Sequence, residues 1–276
     1  MKWAIYRIHY GIDYINESIN SIIHDVDKIF IFYSLKPWIE KKSLIYKGKK
    51  IPFPENPEKI LDYLQSKFKK NKKIIIKNYE CNTPLNQFGK LYDLACLIEK
   101  TKPNYTLFME PDMIFGSYQL RCLKFELYIK FWIPFIVTKQ IEIWKYDKSS
   151  KIKNSFRIPL RKRRIGPVLW KNDRNTNGIV TGLGGGSLDK KNNFSFLVKT
   201  LNMGFSFSKE TMYYKHLLSI VFSNIIGDSE PDEYWYDNKW IGWNNAMQDL
   251  EITKGSQHFI KNAYKYIIPN KYYKFF

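Results

Sequence analysis

The sequence predicts an α/β fold: a mostly parallel sheet flanked by helices, followed by a more irregular and basic C-terminal half. Over the first 115 residues, short apolar segments rich in Ile and Phe alternate with segments whose apolar residues recur at helical spacing. This alternation is typical of parallel strands joined by covering helices. The chain has 276 residues, of which 44% are hydrophobic and 17% aromatic, so it can bury a substantial core.

The first two strands are predicted from continuous apolar runs. "KWAIYRIHY" (residues 2–10) reads as a strand, and "GIDYINESINSII" then places isoleucines at helical spacing. "DKIFIFYS" (27–34) has the short, unbroken apolar pattern of a strand that is buried on both faces.

Two further helix–strand units follow. "NPEKILDYLQSKF" begins with Asn56 as the predicted N-cap and Pro57 at the first helical position, and "KKIIIKNY" is the third strand. "NQFGKLYDLACLIEK" (86–100) is a second amphipathic helix, and "NYTLFME" is the fourth strand. In sheets of this kind ligands bind beyond the carboxyl ends of the strands.

The pattern changes after residue 115. "SYQLRCLKFELYIKFW" predicts a helix, residues 136–170 predict β-rich or irregular segments, and "SKETMYYKHLLSIVFSN" predicts a helix capped by Ser208. We therefore divide one domain into an N-terminal α/β half (1–117) and a more irregular C-terminal half (118–276).

The charge favours polyanionic partners. Lys and Arg number 45 against 26 Asp and Glu, a net charge of +19. Residues 139–174 hold 12 basic and 3 acidic residues, and "RIPLRKRRIGPVLWK" places arginines among aromatics. Nucleic acid is one predicted partner of this Lys139–Arg174 region. Lysines on solvated helix faces are the alternative.

Several classes of protein are excluded. No run approaches the roughly 20 apolar residues of a membrane span, and the N-terminus lacks the pattern of a signal peptide, so we expect an intracellular, cytoplasmic protein. The three cysteines include no Cys-x-x-Cys pair, which argues against a zinc cluster or a disulfide framework.

Two carboxylates follow the fourth strand, in "FMEPDMIF". Glu110 and Asp112 are one residue apart, and paired carboxylates can hold a divalent cation that bridges a diphosphate. Mg²⁺ and Mn²⁺ prefer such oxygen ligands. A solvated turn is the alternative, because Pro and Asp are common in turns.

The first 120 residues resemble the nucleotide-diphospho-sugar glycosyltransferases of family 2, which have the GT-A fold. The resemblance rests on "RIHYGIDYINESINSI", on "DVDKIFIFYS" and on "FMEPDMIF", because that family places an Asp-x-Asp after its fourth strand. It implies a nucleoside-diphosphate sugar as donor and Mn²⁺ or Mg²⁺ held by Asp112, with Glu110 and His258 as further ligands. Here the first acid is Glu, the middle residue is Pro, and no Asp follows the second strand, so the donor base stays open.

The resemblance also implies that residues 1–117 form the nucleotide-sugar-binding half and residues 118–276 the acceptor-binding and catalytic half. The nucleotide pocket would lie beyond the strand ends. Its predicted lining residues are Arg7, Ile8, His9, Tyr10, Ser34, Gln87 and Lys90. A solvated helix lysine is the alternative for Lys90.

A second acidic group, in "IGDSEPDEYWYDNKW", supplies candidates for a catalytic base. An inverting enzyme needs a carboxylate that removes the proton of the acceptor hydroxyl. We rank Asp228 first and Asp232 second, with Glu230 in the same group. Acids that stabilise a helix start are the alternative.

The sequence thus predicts a metal-dependent glycosyltransferase. The favoured acceptor is a hydroxymethylated pyrimidine in DNA, as in phage-type enzymes, which a basic chain without a membrane anchor would suit. A glycan or a lipid-linked sugar is the alternative acceptor. A non-catalytic nucleic-acid-binding α/β protein and a nucleotidyltransferase remain as other classes.

Overall fold

The computed structural model describes most of the N-terminal half and parts of the C-terminal half. The described residues are 1–34, 36–37, 43–55, 57–79, 87–144, 154–157, 165–172, 193–226, 233–241, 264–267, 270–273 and 275.

The N-terminal half alternates strands and helices as predicted. Its elements are β1 (Lys2–Ile8), a 3₁₀ turn (Ile12–Tyr14), α1 (Ile15–Asn20), β2 (Lys28–Tyr33), β3 (Ile45–Tyr46), β4 (Lys49–Lys50), α2 (Pro57–Phe68), β5 (Ile74–Asn78), α3 (Gln87–Glu99), β6 (Tyr105–Met109) and β7 (Met113–Ile114). The C-terminal half contributes α4 (Gln119–Ile129), β8 (Phe135–Trp144), β9 (Asn154–Arg157), β10 (Ile165–Lys171), β11 (Phe194–Phe205), α5 (Lys209–Ile226), a π-helix (Trp235–Ile241), β12 (Tyr264–Ile267) and α6 (Asn270–Tyr273).

One large sheet organises the described residues. Its strand order is β12-β9-β8-β10-β6-β1-β2-β5, and β11 pairs with both β8 and β7. The neighbours β5, β2, β1 and β6 are all parallel, and β11 is parallel to β8. β10 joins the two halves, because it is antiparallel to β6 on one side and to β8 on the other. The predicted α/β class, with helices flanking the sheet, is confirmed.

The central strands are buried on both faces, as their apolar sequences predict. Side chains alternate along a strand. Ala4 and Tyr6 of β1 therefore pack with α1, α2 and α4 on one face, whereas Trp3 and Ile5 pack with α3 on the other. This alternation places α3 and α4 on opposite faces of the sheet.

A short hairpin lies in the connection between β2 and α2. β3 and β4 are antiparallel, and Lys47 and Gly48 between them have φ values of 47° and 74°. Two successive residues with positive φ are typical of a two-residue hairpin turn. The strands lack apolar alternation because their side chains lie mostly toward solvent, so periodicity does not reveal them.

The structure bears directly on two other predictions. The amide of Thr211 donates to Ser208 Oγ at 3.2 Å, which confirms the predicted N-cap of α5. Within the described ranges, no helix has the length and apolar character required to cross a bilayer. Asn56, the other predicted N-cap, lies outside the described residues.

Candidate active site

The predicted acids lie at the carboxyl edge of the parallel strands. Glu110 follows β6 directly, and β6 pairs with β1, so the end of β1 lies beside it. Arg7, near the end of β1, donates from Nη2 to Glu110 Oε1 at 2.5 Å. The guanidinium of Arg7 also lies 5.0 Å from the centroid of the Phe88 ring on α3. Elements distant in sequence therefore meet at this edge, as the sequence predicts.

Asp112 is directed into the protein. It is 6% exposed and lies in the turn between β6 and β7. The amide of Met203 on β11 donates to the backbone oxygen of Asp112 at 2.8 Å, and β7 pairs with β11 alongside. Asp112 Oδ1 is buried and has no hydrogen-bond partner among the residues that the structure describes. A buried carboxylate oxygen without a donor is costly unless a ligand or cation meets it.

The charges around Asp112 oppose one another. The pKa of the Asp112 carboxyl is raised to about 7: burial is the largest cause, the ammonium of Lys215 opposes it, and the carboxylates of Glu110 and Glu142 add to it. Lys215 belongs to α5 and Glu142 to β8. The site therefore combines three acids with the cations Arg7 and Lys215.

Gly204 on β11 permits this close approach. A Cβ at Gly204 would lie 2.5 Å from Asp112 Oδ2, 2.7 Å from Lys215 Nζ and 2.8 Å from Asn202 Oδ1. Lys215 Nζ donates to Gly204 O at 2.7 Å, and the amide of Gly204 donates to Asn202 Oδ1 at 2.7 Å. The three polar side chains thus share the space that a larger residue would fill.

These residues were not identified from the sequence. The available signal was the glycine within the "KTLNMGF" stretch, because glycine inside a strand marks a close approach of other groups. Nothing in the local pattern of α5 distinguishes Lys215 from a solvated lysine.

His9 and Tyr10 follow β1 but have different surroundings. His9 is buried; its Nδ1–H donates to the Ser34 backbone oxygen at 2.7 Å, and its Nε2 accepts from the Tyr214 hydroxyl at 2.9 Å. Burial is the main reason that the pKa of His9 falls to about 4, so the ring is neutral and links three elements. Burial also raises the pKa of Tyr10, and the charges of Glu110 and Asp112 contribute in the same direction.

The remaining predicted pocket residues have mixed positions. Ile8 is buried in the core, Ser34 Oγ donates to the Lys36 backbone oxygen at 2.9 Å, and Lys90 is exposed on α3. Gln87 begins α3, and its side chain is not among those described. The candidate bases Asp228, Glu230 and Asp232 lie outside the described residues, as do the candidate ligand His258 and half of the Lys139–Arg174 region.

The carboxylates of Asp112 and Glu110 could supply part of the coordination shell of a divalent cation. Among the described residues, no three side chains of His, Cys, Asp or Glu come together as a metal site. Proteins nonetheless bind Mg²⁺ through one or two carboxylates when substrate phosphates complete the coordination. The unpartnered Asp112 Oδ1 and the partly exposed Glu110 carboxylate, whose Oε1 also meets Arg7, are suitable oxygen ligands for that arrangement.

Comparisons with known proteins give structural likeness only. No protein-family model matches the chain, and no curated protein matches it. Residues 1–349 of TarS from S. aureus align with 86% of this chain and 68% of that one, at 11% identity and a TM-score of 0.39. The same TarS fragment in complex with UDP-GlcNAc aligns with 55% of this chain at 13% identity and a TM-score of 0.31, and the chain spans only 38% of its length.

A second kind of enzyme is also among the solved structures. The 4-diphosphocytidyl-2C-methyl-D-erythritol synthase from Anaerococcus prevotii aligns with 61% of this chain and 70% of that one, at 10% identity and a TM-score of 0.32. At these identities and scores the likenesses assign no activity to this chain.

Proposed function

We propose that this chain is a nucleotide-sugar-dependent glycosyltransferase of the GT-A type. The observation that carries the proposal is the buried Oδ1 of Asp112, which has no hydrogen-bond partner within the described part of the chain and lies beside Lys215 at the carboxyl edge of a parallel sheet. This edge is the usual place for a nucleotide ligand in such sheets. The family resemblance of the first 120 residues, with its acids after the fourth strand, supports the same function.

The site residues have complementary roles in this proposal. Asp112 and Glu110 would hold Mg²⁺ or Mn²⁺, with His258 as the third candidate ligand, and the cation when bound would offset charge on the departing diphosphate. Arg7 and Lys215 would bind phosphate oxygens, because Arg7 pairs with Glu110 and Lys215 lies near Asp112. Tyr10 would line the pocket beside these acids.

Transfer to an acceptor hydroxyl also requires a proton acceptor if the anomeric centre inverts. Asp228 is the first candidate for this base, followed by Asp232 and Glu230. The base would take the hydroxyl proton as the acceptor oxygen bonds to the anomeric carbon and the diphosphate departs.

The acceptor is a separate part of the proposal. The net charge of +19 supports a hydroxymethylated pyrimidine in DNA, reached through the Lys139–Arg174 region. An exposed aromatic surface on α4, described in the next subsection, supports a lipid-linked sugar as the second candidate.

A panel experiment tests donor and acceptor together. The chain is incubated with UDP-, GDP- and CDP-sugars, with Mn²⁺ or Mg²⁺, and with hydroxymethylated DNA or a lipid-linked sugar, and products are identified by mass spectrometry. We expect transfer that requires the cation and is lost in Asp112→Asn, whereas Asp93→Asn at an exposed position on α3 retains it.

Other outcomes would assign the chain to a different functional class. No sugar transfer or donor hydrolysis under any condition, together with DNA binding that is indifferent to Asp112→Asn, would indicate a nucleic-acid-binding protein. Pyrophosphate release from a sugar phosphate and a nucleoside triphosphate would indicate a nucleotidyltransferase.

A further inference from the structure

The outer face of α4 and the turn after it form an exposed aromatic surface. Phe125, Tyr128, Ile129 and Trp132 recur at i, i+3, i+4 and i+7, and Phe131 lies among them. The exposed fractions of these five side chains range from 53% to 72%. Monomeric surfaces rarely expose so many large apolar side chains together.

The exposure is not a failure of α4 to pack. The opposite face of the helix buries Leu120, Leu123 and Leu127 in the main core. The helix therefore has two apolar faces, one in the core and one in solvent. A helix that is apolar on both sides normally has a second partner.

The exposed surface continues onto β11. Lys130 Nζ lies 3.9 Å from the centroid of the Phe196 ring, and Glu126 of α4 accepts from the Phe196 amide at 2.8 Å. Phe196 and Leu197 are themselves 72% and 65% exposed. We call this set, from Phe125 to Trp132 with Phe196 and Leu197, the α4 surface.

The charges on α4 and the turn after it are mostly positive. Arg121, Lys124 and Lys130 lie along this helix and turn, and between residues 113 and 141 the sequence contains a single acid, Glu126. Glu126 is 5% exposed and bonded to Lys130 Nζ at 2.7 Å, and Arg121 Nε donates to Asp25 Oδ1 at 2.5 Å. Large apolar side chains bordered by cations are typical of surfaces that insert into the headgroup region of an anionic bilayer.

We propose that the α4 surface docks the protein onto anionic lipid membranes. The aromatic rings would enter the interface between headgroups and acyl chains, where Trp and Tyr are favoured, and Arg121 and Lys124 would contact lipid phosphates. Ile129 and Leu197 favour lipid over nucleic acid, since aliphatic side chains offer no stacking face to a base. The cationic border disfavours a second copy of the same surface, which would bring like charges together. This inference does not depend on the proposed transferase activity.

The test measures binding of the full chain to vesicles. Co-sedimentation is compared between vesicles of phosphatidylcholine alone and vesicles that contain phosphatidylglycerol. We expect binding to the anionic vesicles that weakens at least tenfold in the double variant Phe131→Ser/Trp132→Ser. The matched control is Leu97→Ser, a 74% exposed apolar residue on α3, across the sheet from α4, and it should bind like the wild type.

Each alternative result would overturn the proposal. Failure of the wild type to bind anionic vesicles excludes lipid as the occupant. Equal binding by the wild type and by Phe131→Ser/Trp132→Ser means that the basic charge alone attracts the vesicles. A wild-type dimer that becomes monomeric in this variant would identify the α4 surface as an interface between copies. Phe196→Ser/Leu197→Ser on β11 repeats the test at the other end of the surface.

Discussion

Gly204 is the residue at which Asp112, Lys215 and Asn202 share one space. We predict that Gly204→Ala lowers the free energy of unfolding by about 1–3 kcal/mol and abolishes transfer, because its Cβ would lie within 3.0 Å of all three side chains. Urea denaturation and the donor assay measure the two effects. Gly48→Ala is the control: nothing lies within 4 Å of its Cβ, and only its φ of +74° adds strain. Unchanged stability and activity in Gly204→Ala would contradict the close approach that we describe.

The ionisation of Glu55 should make the free energy of unfolding depend on pH. Its Oε1 accepts from the amides of Gly11 and Ile12 at 2.9 and 3.1 Å, and burial raises the pKa of its carboxyl from 4.5 to about 7. Between these values the folded protein holds a proton that the unfolded chain has released. The free energy of unfolding therefore falls as the pH rises from about 4.5 to about 7, by ~3 kcal/mol from this group.

Replacing this carboxyl isolates its contribution. We predict that Glu55→Gln has a smaller loss of stability than the wild type between pH 5 and pH 8, because the amide does not ionise. Chemical denaturation at both pH values gives the comparison. Parallel pH profiles for the two proteins would show that Glu55 ionises in the folded state much as it does in the unfolded chain.

At the residue scale, the sequence predicts which side chains follow the ends of parallel strands. Arg7 and Glu110 form an ion pair because β1 and β6 are parallel neighbours that end at one edge, an arrangement that the hydrophobic pattern predicts. Lys215 and Glu142 were missed because they reach Asp112 only through the packing of α5 and the pairing of β8 with β11. No local pattern encodes such distant approaches.

At the scale of elements, Glu126 joins α4 to β11. Its carboxylate accepts from Ser195 Oγ at 2.5 Å, from the Phe196 amide at 2.8 Å and from Lys130 Nζ at 2.7 Å. Burial alone would raise the pKa of Glu126, but these hydrogen bonds outweigh it, so the pKa is lowered. The stabilisation is therefore present at neutral pH and is lost as the pH falls through the lowered pKa.

Removal of this carboxylate tests the junction. We predict that Glu126→Ala costs about 3 kcal/mol in the free energy of unfolding, because Lys130 and Ser195 lose a buried partner. Lys130→Met should cost less, and the double variant should cost less than the sum of the two, with a coupling of about 1 kcal/mol. Thermal and urea denaturation of the four proteins measure this cycle. Strict additivity would mean that the ion pair contributes nothing to the attachment of α4.

Helices and strands whose apolar residues recur at a regular spacing, or form a continuous run, were predicted from the sequence. Elements without such a pattern were not. The helices α2 to α5 follow apolar spacing, and β1, β2, β5 and β6 follow continuous apolar runs. β11 carries Lys199 and Asn202 within its length and pairs with β8 across a long connection, so its sequence has neither signal. β3 and β4 have only two residues each, which is too short for any period to be recognised.

At the scale of the whole molecule, the net charge of +19 should attract any polyanion, whereas the exposed aromatics of the α4 surface should strengthen binding to lipid alone. We predict that the affinity for duplex DNA falls about a hundredfold or more between 50 and 200 mM salt, because bound cations of the DNA are released on association. Phe131→Ser/Trp132→Ser should bind DNA like the wild type, since it removes no charge, while its binding to anionic vesicles weakens. Fluorescence anisotropy with labelled duplex at several salt concentrations measures the first property, and co-sedimentation measures the second. If the variant loses DNA binding instead, the exposed aromatics of α4 stack on bases, and the α4 surface binds nucleic acid rather than lipid.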